Sequence, residues 1–159
     1  MHIVDILQQW SENSAFFTWL RESPSIWAYP MVFFIHTLAL VFTAGASVVI
    51  DARLLGAVRR LPISPLSKLF KVIWIGVTLT VVSGLVMLGT DVQTKVMNRL
   101  FPVKMLFVLA AIVLTAVLRN QIASTGVESS ASPLARVLAA ASLVCWCGAI
   151  ASGKFAAYL

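Results

Sequence analysis

From Ile26 to Ile50 the chain reads IWAYPMVFFIHTLALVFTAGASVVI, a run without Asp, Glu, Lys or Arg that is closed at its far end by Asp51 and Arg53. A helix crossing a bilayer needs about 20 predominantly apolar residues. This run supplies them and places Trp27 and Tyr29 at its start, where amphipathic rings anchor a helix among lipid headgroups. Pro30 falls in the first turn, the one stretch of a helix that tolerates a missing backbone donor. The run reads as a transmembrane helix, and the rest of the chain repeats the pattern.

After a break at Arg59-Arg60-Leu61-Pro62-Ile63-Ser64-Pro65, further apolar runs cover about 72–90, 103–118 and 137–153, against about 26–50 for the first. The segment Asp91 to Pro102 joins the second span to the third, whose first turn holds Lys104. A polar stretch from Arg119 to Pro133 joins the third to the fourth. Of 159 residues, 60% are hydrophobic and 11% charged, whereas a soluble domain carries roughly 25% charged residues. That composition excludes a soluble globule, and the length holds four spans with short connections. The net charge of +6 sits at the ends of apolar runs, so it marks topology and a lipid bilayer as partner rather than nucleic acid.

Ahead of the first span, Ile3, Ile6, Leu7, Trp10, Phe17 and Leu20 recur at helical spacing between polar residues, the pattern of an amphipathic helix lying on a membrane surface. Asp5 and Glu12 interrupt this segment and no basic cluster opens it, so it does not read as a cleaved signal peptide. The expected organisation is an interfacial segment over 1–25 and a transmembrane domain over 26–159. The fold class is an all-α membrane protein, a compact four-transmembrane-helix bundle with an N-terminal amphipathic interfacial helix.

Orientation follows from the basic residues. Arg53, Arg59, Arg60, Lys68, Lys71, Arg119 and Arg136 flank the first and third connections, against Arg21, Lys95, Arg99, Lys104 and Lys154 on the other side. The richer side is expected to be cytoplasmic, which places both termini in the periplasm of a bacterial inner membrane.

Contact faces between membrane helices carry small and hydroxylated residues, while lipid-facing surfaces are large and apolar. His36, Ala39, Thr43 and Ser47 share one stripe of span one, and Gly76, Thr80, Ser83 and Met87 share one of span two, leading down to Asp91. Lys104, Val108, Ala111 and Thr115 do the same in span three, and Ala141, Cys145, Ala149 and Gly153 in span four. The stripes describe close packing around a shared interior. Cys145 and Cys147 are two apart and point to nearly opposite helix faces, so they do not bridge each other.

His36 is the only histidine in any span, and counting from the outer end of its helix it lies roughly 9 to 14 Å below the surface. An ionisable residue inside a membrane is costly and marks a functional site by default. A neutral imidazole there can ligate a metal or haem iron, relay a proton, or hydrogen-bond a neighbouring Ser or Thr. Lys104 enters from the same side, either as a pocket charge or as a side chain reaching back to the headgroups. Met87 offers a soft sulfur, either as an axial ligand or as packing. Asp91 and Lys154 end their spans at the same level. The expected cofactor-binding set is His36, Met87, Lys104, Asp91 and Thr43, with His36 as the possible iron ligand.

Absent motifs narrow the chemistry. There is no Cys-x-x-Cys-His, no metal-spaced His pair and no Gly-rich phosphate loop. A haem in a single chain would take His36 together with Met, Lys or water, or with His36 of a second copy.

The chain resembles a family of uncharacterised bacterial membrane proteins of about this length. The residues that carry the likeness are Ser25-Ile26-Trp27-Ala28-Tyr29-Pro30, His36, Gly45, Asp51-Ala52-Arg53-Leu54-Leu55-Gly56, Trp74-Ile75-Gly76 and Ser83-Gly84. It continues through Asn98-Arg99-Leu100-Phe101-Pro102-Val103-Lys104-Met105, Trp146 and Gly153-Lys154-Phe155-Ala156-Ala157-Tyr158. More loosely, a first-span His and a Lys opening a later span are similar to the HemJ-type protoporphyrinogen oxidases and CopD-like membrane domains. That similarity implies His36 as an axial haem ligand and Lys104 as a pocket residue. The additional histidines of the HemJ-type proteins are missing here, so their porphyrinogen oxidation is not implied.

The functional expectation is a small redox protein, or the membrane subunit of a redox assembly, holding a b-type haem or a quinone in the outer half of the bundle. A cofactor-free scaffold subunit and a small-solute or metal transporter are the rival classes. A homo-oligomer or membership of a larger membrane complex is expected.

Overall fold

The computed structural model describes residues 2–58, 66–125 and 132–156, and among these every regular element is a helix. They are α1 (His2–Glu12), α2 (Ala15–Glu22), α3 (Tyr29–Leu55), α4 (Leu66–Thr90), α5 (Val92–Met97), α6 (Leu100–Thr125) and α7 (Pro133–Phe155). Four of them, α3, α4, α6 and α7, are long and apolar enough to cross a membrane. The protein is a multi-pass all-α membrane protein. The break expected at Arg59–Pro65 lies outside the described residues, as do residues 126–131 of the expected Arg119–Pro133 connection, whose first part, to Thr125, continues α6 as helix beyond the expected end of span three.

The four long helices alternate in direction, with α3 packed on α4 and α7, and α6 packed on α7. Burial is arranged as a bilayer solvent demands. The interior takes small residues, Ala39, Ala44, Ala46, Ala111, Ala139 and Ala149, while Phe33, Phe34, Phe42, Ile75, Leu85, Leu106, Leu109 and Val144 face outward. Lipid tails are as apolar as Leu, so close packing of small residues holds such helices together in place of hydrophobic burial. The tightest approach joins α3 to α4, where a Cβ on Gly76 would fall 2.1 Å from Thr43 Oγ1 and 3.1 Å from the Ala39 carbonyl. Gly148 of α7 gives the same service to the Phe107 ring of α6. Between α4 and α6 the helices part around a crevice lined by Ile73, Trp74, Val77, Ile112, Thr115 and Trp146, too narrow for a water molecule.

Helix ends follow local chemistry. The first span is shifted from the expected 26–50: residues 26–28 form a turn, and the helix continues past Asp51 to Leu55. Its stop is Gly56, at φ 87°, a left-handed conformation that glycine adopts without steric cost. The amide of Ala57 reaches back to the Ala52 carbonyl at 3.0 Å, closing the cap. Ser132 caps α7 by accepting from the Ala135 amide at 3.1 Å.

The N-terminal segment, read as one amphipathic helix, is two, broken at Asn13–Ser14 so that α2 folds back against the bundle. Ser11 donates to the Gly89 carbonyl and accepts from Arg21 at 3.1 Å, and Arg21 reaches the Thr90 carbonyl at 3.2 Å. Phe17 and Leu20 pack with Ala28, Val32 and Val86, with Phe17 lying on the bare backbone of Gly89. Ile3, Ile6, Leu7, Trp10, Phe16 and Trp19 are exposed. The connection Asp91–Pro102 holds the short helix α5. Its first amides are held by Gln8 Oε1, at 3.0 Å from Val92 N and 3.2 Å from Gln93 N, and by Asp91 Oδ1, at 3.1 Å from Thr94 N. Helices α1, α2 and α5 thus cap one end of the bundle, the end where α3 and α6 begin.

Candidate functional site

His36 lies two turns into α3, roughly 10 Å along the axis from its start, and meets the antiparallel α4 at Ser83 and Gly84. Its Nδ1 is 2.9 Å from Ser83 Oγ. A Cβ on Gly84 would sit 3.3 Å from the ring's Cε1 and 3.7 Å from Nδ1, so glycine there lets the imidazole lie close against the helix.

The proton positions follow from counting donors. The Ser83 hydroxyl has one proton, and it lies 2.5 Å from the Leu79 carbonyl and 3.3 Å from that of Thr80. Carbonyls only accept. With that proton committed to the helix backbone, Ser83 Oγ accepts from Nδ1–H. The imidazole is therefore assigned as the Nδ1–H tautomer, and Nε2 keeps its lone pair. One turn along, the Thr80 hydroxyl is buried without a partner.

Lys104, in the first turn of α6, lies within electrostatic reach of His36. Its stem crosses Gly153 of α7, where a Cβ would fall 3.4 Å from Cε and 3.6 Å from Nζ. One end of the interior therefore gathers an imidazole from α3, a half-buried ammonium from α6 and an orphaned hydroxyl from α4.

Of the remaining expected residues, Thr43 and Asp91 use their side chains elsewhere, and Met87 is engaged through its backbone carbonyl. Thr43 is two turns deeper, 1% exposed, and its Oγ1 bonds the Ala39 carbonyl at 2.8 Å in the α3–α4 contact. The Met87 carbonyl accepts from Lys95 Nζ, and Asp91 caps α5. Lys95 also reaches Thr90 Oγ1 at 2.8 Å and lies 5.5 Å from the centre of the Tyr29 ring. Burial pushes its ammonium below the ordinary lysine value, with Asp91 pulling the other way.

No family model, curated protein or solved structure matches the chain. What the site can do rests on its own chemistry. Among the described residues no three His, Cys, Asp or Glu side chains gather as a metal cage, which leaves His36 as a single imidazole donor. Cys145 and Cys147 are both free.

One acid departs from its sequence reading. Asp51, taken from sequence as a flanking charge that closes span one, is 1% exposed, one turn inside the end of α3. The sequence held a signal for it: the stripe through His36, Ala39, Thr43 and Ser47 reaches Asp51 with one more step of four.

Proposed function

We propose that this protein is a small electron-transfer protein of the bacterial inner membrane, or the membrane subunit of a redox assembly, that binds a b-type haem through His36. The observation that carries the reading is the contact between His36 Nδ1 and Ser83 Oγ, 2.9 Å apart. A histidine that ligates iron donates its other ring N–H to a fixed acceptor, which orients the ring and raises its basicity. Ser83 supplies that acceptor, and the ring's lone pair is then carried by Nε2. One further feature fits such a group: the unpartnered Thr80 hydroxyl.

When bound, haem supplies one-electron exchange between ferric and ferrous iron. The chain's own residues supply the surroundings. His36 would hold the iron through its lone pair, Ser83 would fix the ring plane, and the Lys104 ammonium would offset the anionic carboxylates that haem carries. The scaffold reading has less to stand on, because the small-residue stripes it needs as partner surfaces, Ala39–Thr43 against Gly76 above all, are consumed within one chain.

The deciding measurement is an absorption spectrum of protein purified from haem-sufficient cells, oxidised and then reduced. A Soret band that moves on reduction is expected. Colourless protein overturns the haem reading. Quinone measured in that colourless sample would transfer the site to a quinone headgroup, and a tightly copurifying subunit with neither cofactor would favour the scaffold.

Orientation is part of the same proposal. The end capped by α1, α2 and α5 is assigned to the periplasm, with Ile3, Ile6, Leu7 and Trp10 in the lipid interface. A reporter active only in the periplasm is expected to work when fused after Leu159 and to be silent when fused near Ser130. The reverse pattern would place His36 on the cytoplasmic side.

A further inference from the structure

At the capped end of the bundle, α2 and α5 both lie against the ends of α3 and α4, and different forces hold them. Phe17 and Leu20 of α2 are buried in apolar contact with Ala28, Val32 and Val86. Helix α5 attaches through Lys95, whose Nζ donates to the Met87 carbonyl and, at 2.8 Å, to Thr90 Oγ1, both in the last turn of α4. The same ammonium stands 5.5 Å from the centre of the Tyr29 ring, at the start of α3, within range of a cation–π attraction. Lys95 thus bridges the two helices.

Helix periodicity sets His36 below that bridge. Tyr29 and His36 are seven residues apart and Met87 and Ser83 four, and both spacings return to the same face of a helix. Tyr29 lies about 10 Å along α3 from His36, so the bridge and the His36–Ser83 contact occupy one α3–α4 seam, with Val32 one turn from the imidazole.

Burial does little to hold α5. It has six residues, of which Val92 is buried, and it packs more on α1 than on α4 or α6. A helix that short does not persist alone. Its anchors are side-chain hydrogen bonds: Gln8 Oε1 accepts from the Val92 and Gln93 amides, Asp91 Oδ1 accepts from the Thr94 amide, and Lys95 holds the end of α4. The residues that flank it leave helical geometry, Asp91 at φ −162°, ψ 83° and Asn98 at φ −65°, ψ 123°. Asn98 is itself fixed, donating from Nδ2 to the Ala156 carbonyl at 3.1 Å. A segment with few buried apolar contacts, tied by a handful of polar bonds, belongs to the part of a fold that opens locally.

We infer that α5 is a lid over the α3–α4 seam, hinged at Asp91 and Asn98 and latched by Lys95, and that its release opens a route from the aqueous phase at the capped end to the His36 ring. The latch needs a cation, because a carbonyl, a hydroxyl oxygen and a ring face all attract one. Gln8 ties the lid to α1 at its other end. Helix α2 stays in place when the lid moves, since the packing of Phe17 and Leu20 does not pass through Lys95. The inference rests on the geometry of the seam and is independent of the haem reading.

The test places a reporter thiol in the seam. Val32→Cys is made in the full-length protein with Cys145→Ala and Cys147→Ala, and its labelling by a charged, water-soluble methanethiosulfonate is timed in detergent. Lys95→Met, which keeps the stem and removes the cation, is expected to speed labelling about tenfold or more, the effect on local opening of losing charge-assisted bonds. Lys95→Arg, which keeps the cation, should restore slow labelling at least in part. Arg99→Met, which removes an exposed cation from the same connection, should leave the rate unchanged. Circular dichroism of each variant reports whether the bundle is intact.

Labelling of Lys95→Met at the original rate overturns the lid, and so does an equal acceleration by Arg99→Met, which would trace the effect to charge in general. Should Lys95→Met fail to fold, Gln8→Ala frees the other end of α5 with Lys95 untouched. Faster labelling then supports the lid, and an unchanged rate overturns it.

Discussion

Replacing Gly76 with Ala is expected to destabilise the bundle by about 2 to 3 kcal/mol, although alanine is the better helix former by about 1 kcal/mol. The reason is local. A methyl group at Gly76 lands 2.1 Å from Thr43 Oγ1, inside the radius of any real contact, and the hydroxyl cannot rotate away without giving up its 2.8 Å bond to the Ala39 carbonyl. The helices α3 and α4 must separate, and the smallest-residue contact in the fold is lost.

The same geometry predicts a rescue. Removing the hydroxyl in Thr43→Ala leaves the new methyl facing the Ala39 carbonyl at 3.1 Å and the Cβ of residue 43 at 3.3 Å, distances that a shift of a few tenths of an ångström relieves. Thr43→Ala alone should cost under about 1 kcal/mol, because the bond it deletes lies within one helix. The double variant should recover at least half of the Gly76→Ala loss, a favourable coupling of about 1 to 2 kcal/mol in a double-mutant cycle. Gly45, whose added Cβ meets nothing within 4 Å, is the control: Gly45→Ala should leave stability unchanged or improve it by up to about 1 kcal/mol. Unfolding by denaturing detergent in mixed micelles measures all four variants. Additive losses for Thr43→Ala and Gly76→Ala would remove Thr43 as the cause.

The same contact explains how much of the fold could be read in advance. Four apolar runs and their stripes of small residues are one-dimensional signals, and the four spanning helices and their inward faces follow from them. Positions where the chain reverses on itself are another matter. The fold of α2 onto α4 depends on Ser11 and Arg21 finding the end of α4, 69 to 78 residues away, and nothing in the local sequence encodes that meeting. Phe17 and Leu20 therefore read as lipid-facing when they face protein.

Asp51 reads as a boundary charge because a charged residue at the end of an apolar run usually is one. The step of four from Ser47 is the signal that places it inward, and the packed helices leave it 1% exposed. Conversely, His36 and Lys104 could be placed at one end from span direction alone. The Ser83 hydroxyl that decides which imidazole nitrogen is free is visible only once α3 and α4 are set side by side.

That nitrogen yields the second large effect. If His36 serves only to bond Ser83, it behaves as an interhelical hydrogen bond in a membrane, worth about 0.6 to 2 kcal/mol. His36→Gln, which keeps a hydrogen-bonding side chain, should then fold with a modest loss of stability and no spectral consequence. If His36 ligates iron, the amide of Gln cannot replace an imidazole nitrogen, and the Soret band should vanish or move while the helical content stays.

Ser83→Ala separates the two cases further. It leaves Nε2 in place but removes the acceptor that fixes Nδ1–H, and loss of such an orienting partner typically costs 10- to 100-fold in affinity for the metal. Haem content should therefore fall in Ser83→Ala without the outright loss expected of His36→Gln, and the haem that remains should have an altered reduction midpoint. Lys104→Met, which removes a charge and no ligand, should move the midpoint and leave the band position close to the wild type. The ordering His36→Gln, then Ser83→Ala, then Lys104→Met in haem retained per protein, from least to most, is the signature of an oriented axial imidazole. A His36→Gln protein with the wild-type spectrum would assign the iron to another ligand and reduce His36 to a strut between α3 and α4.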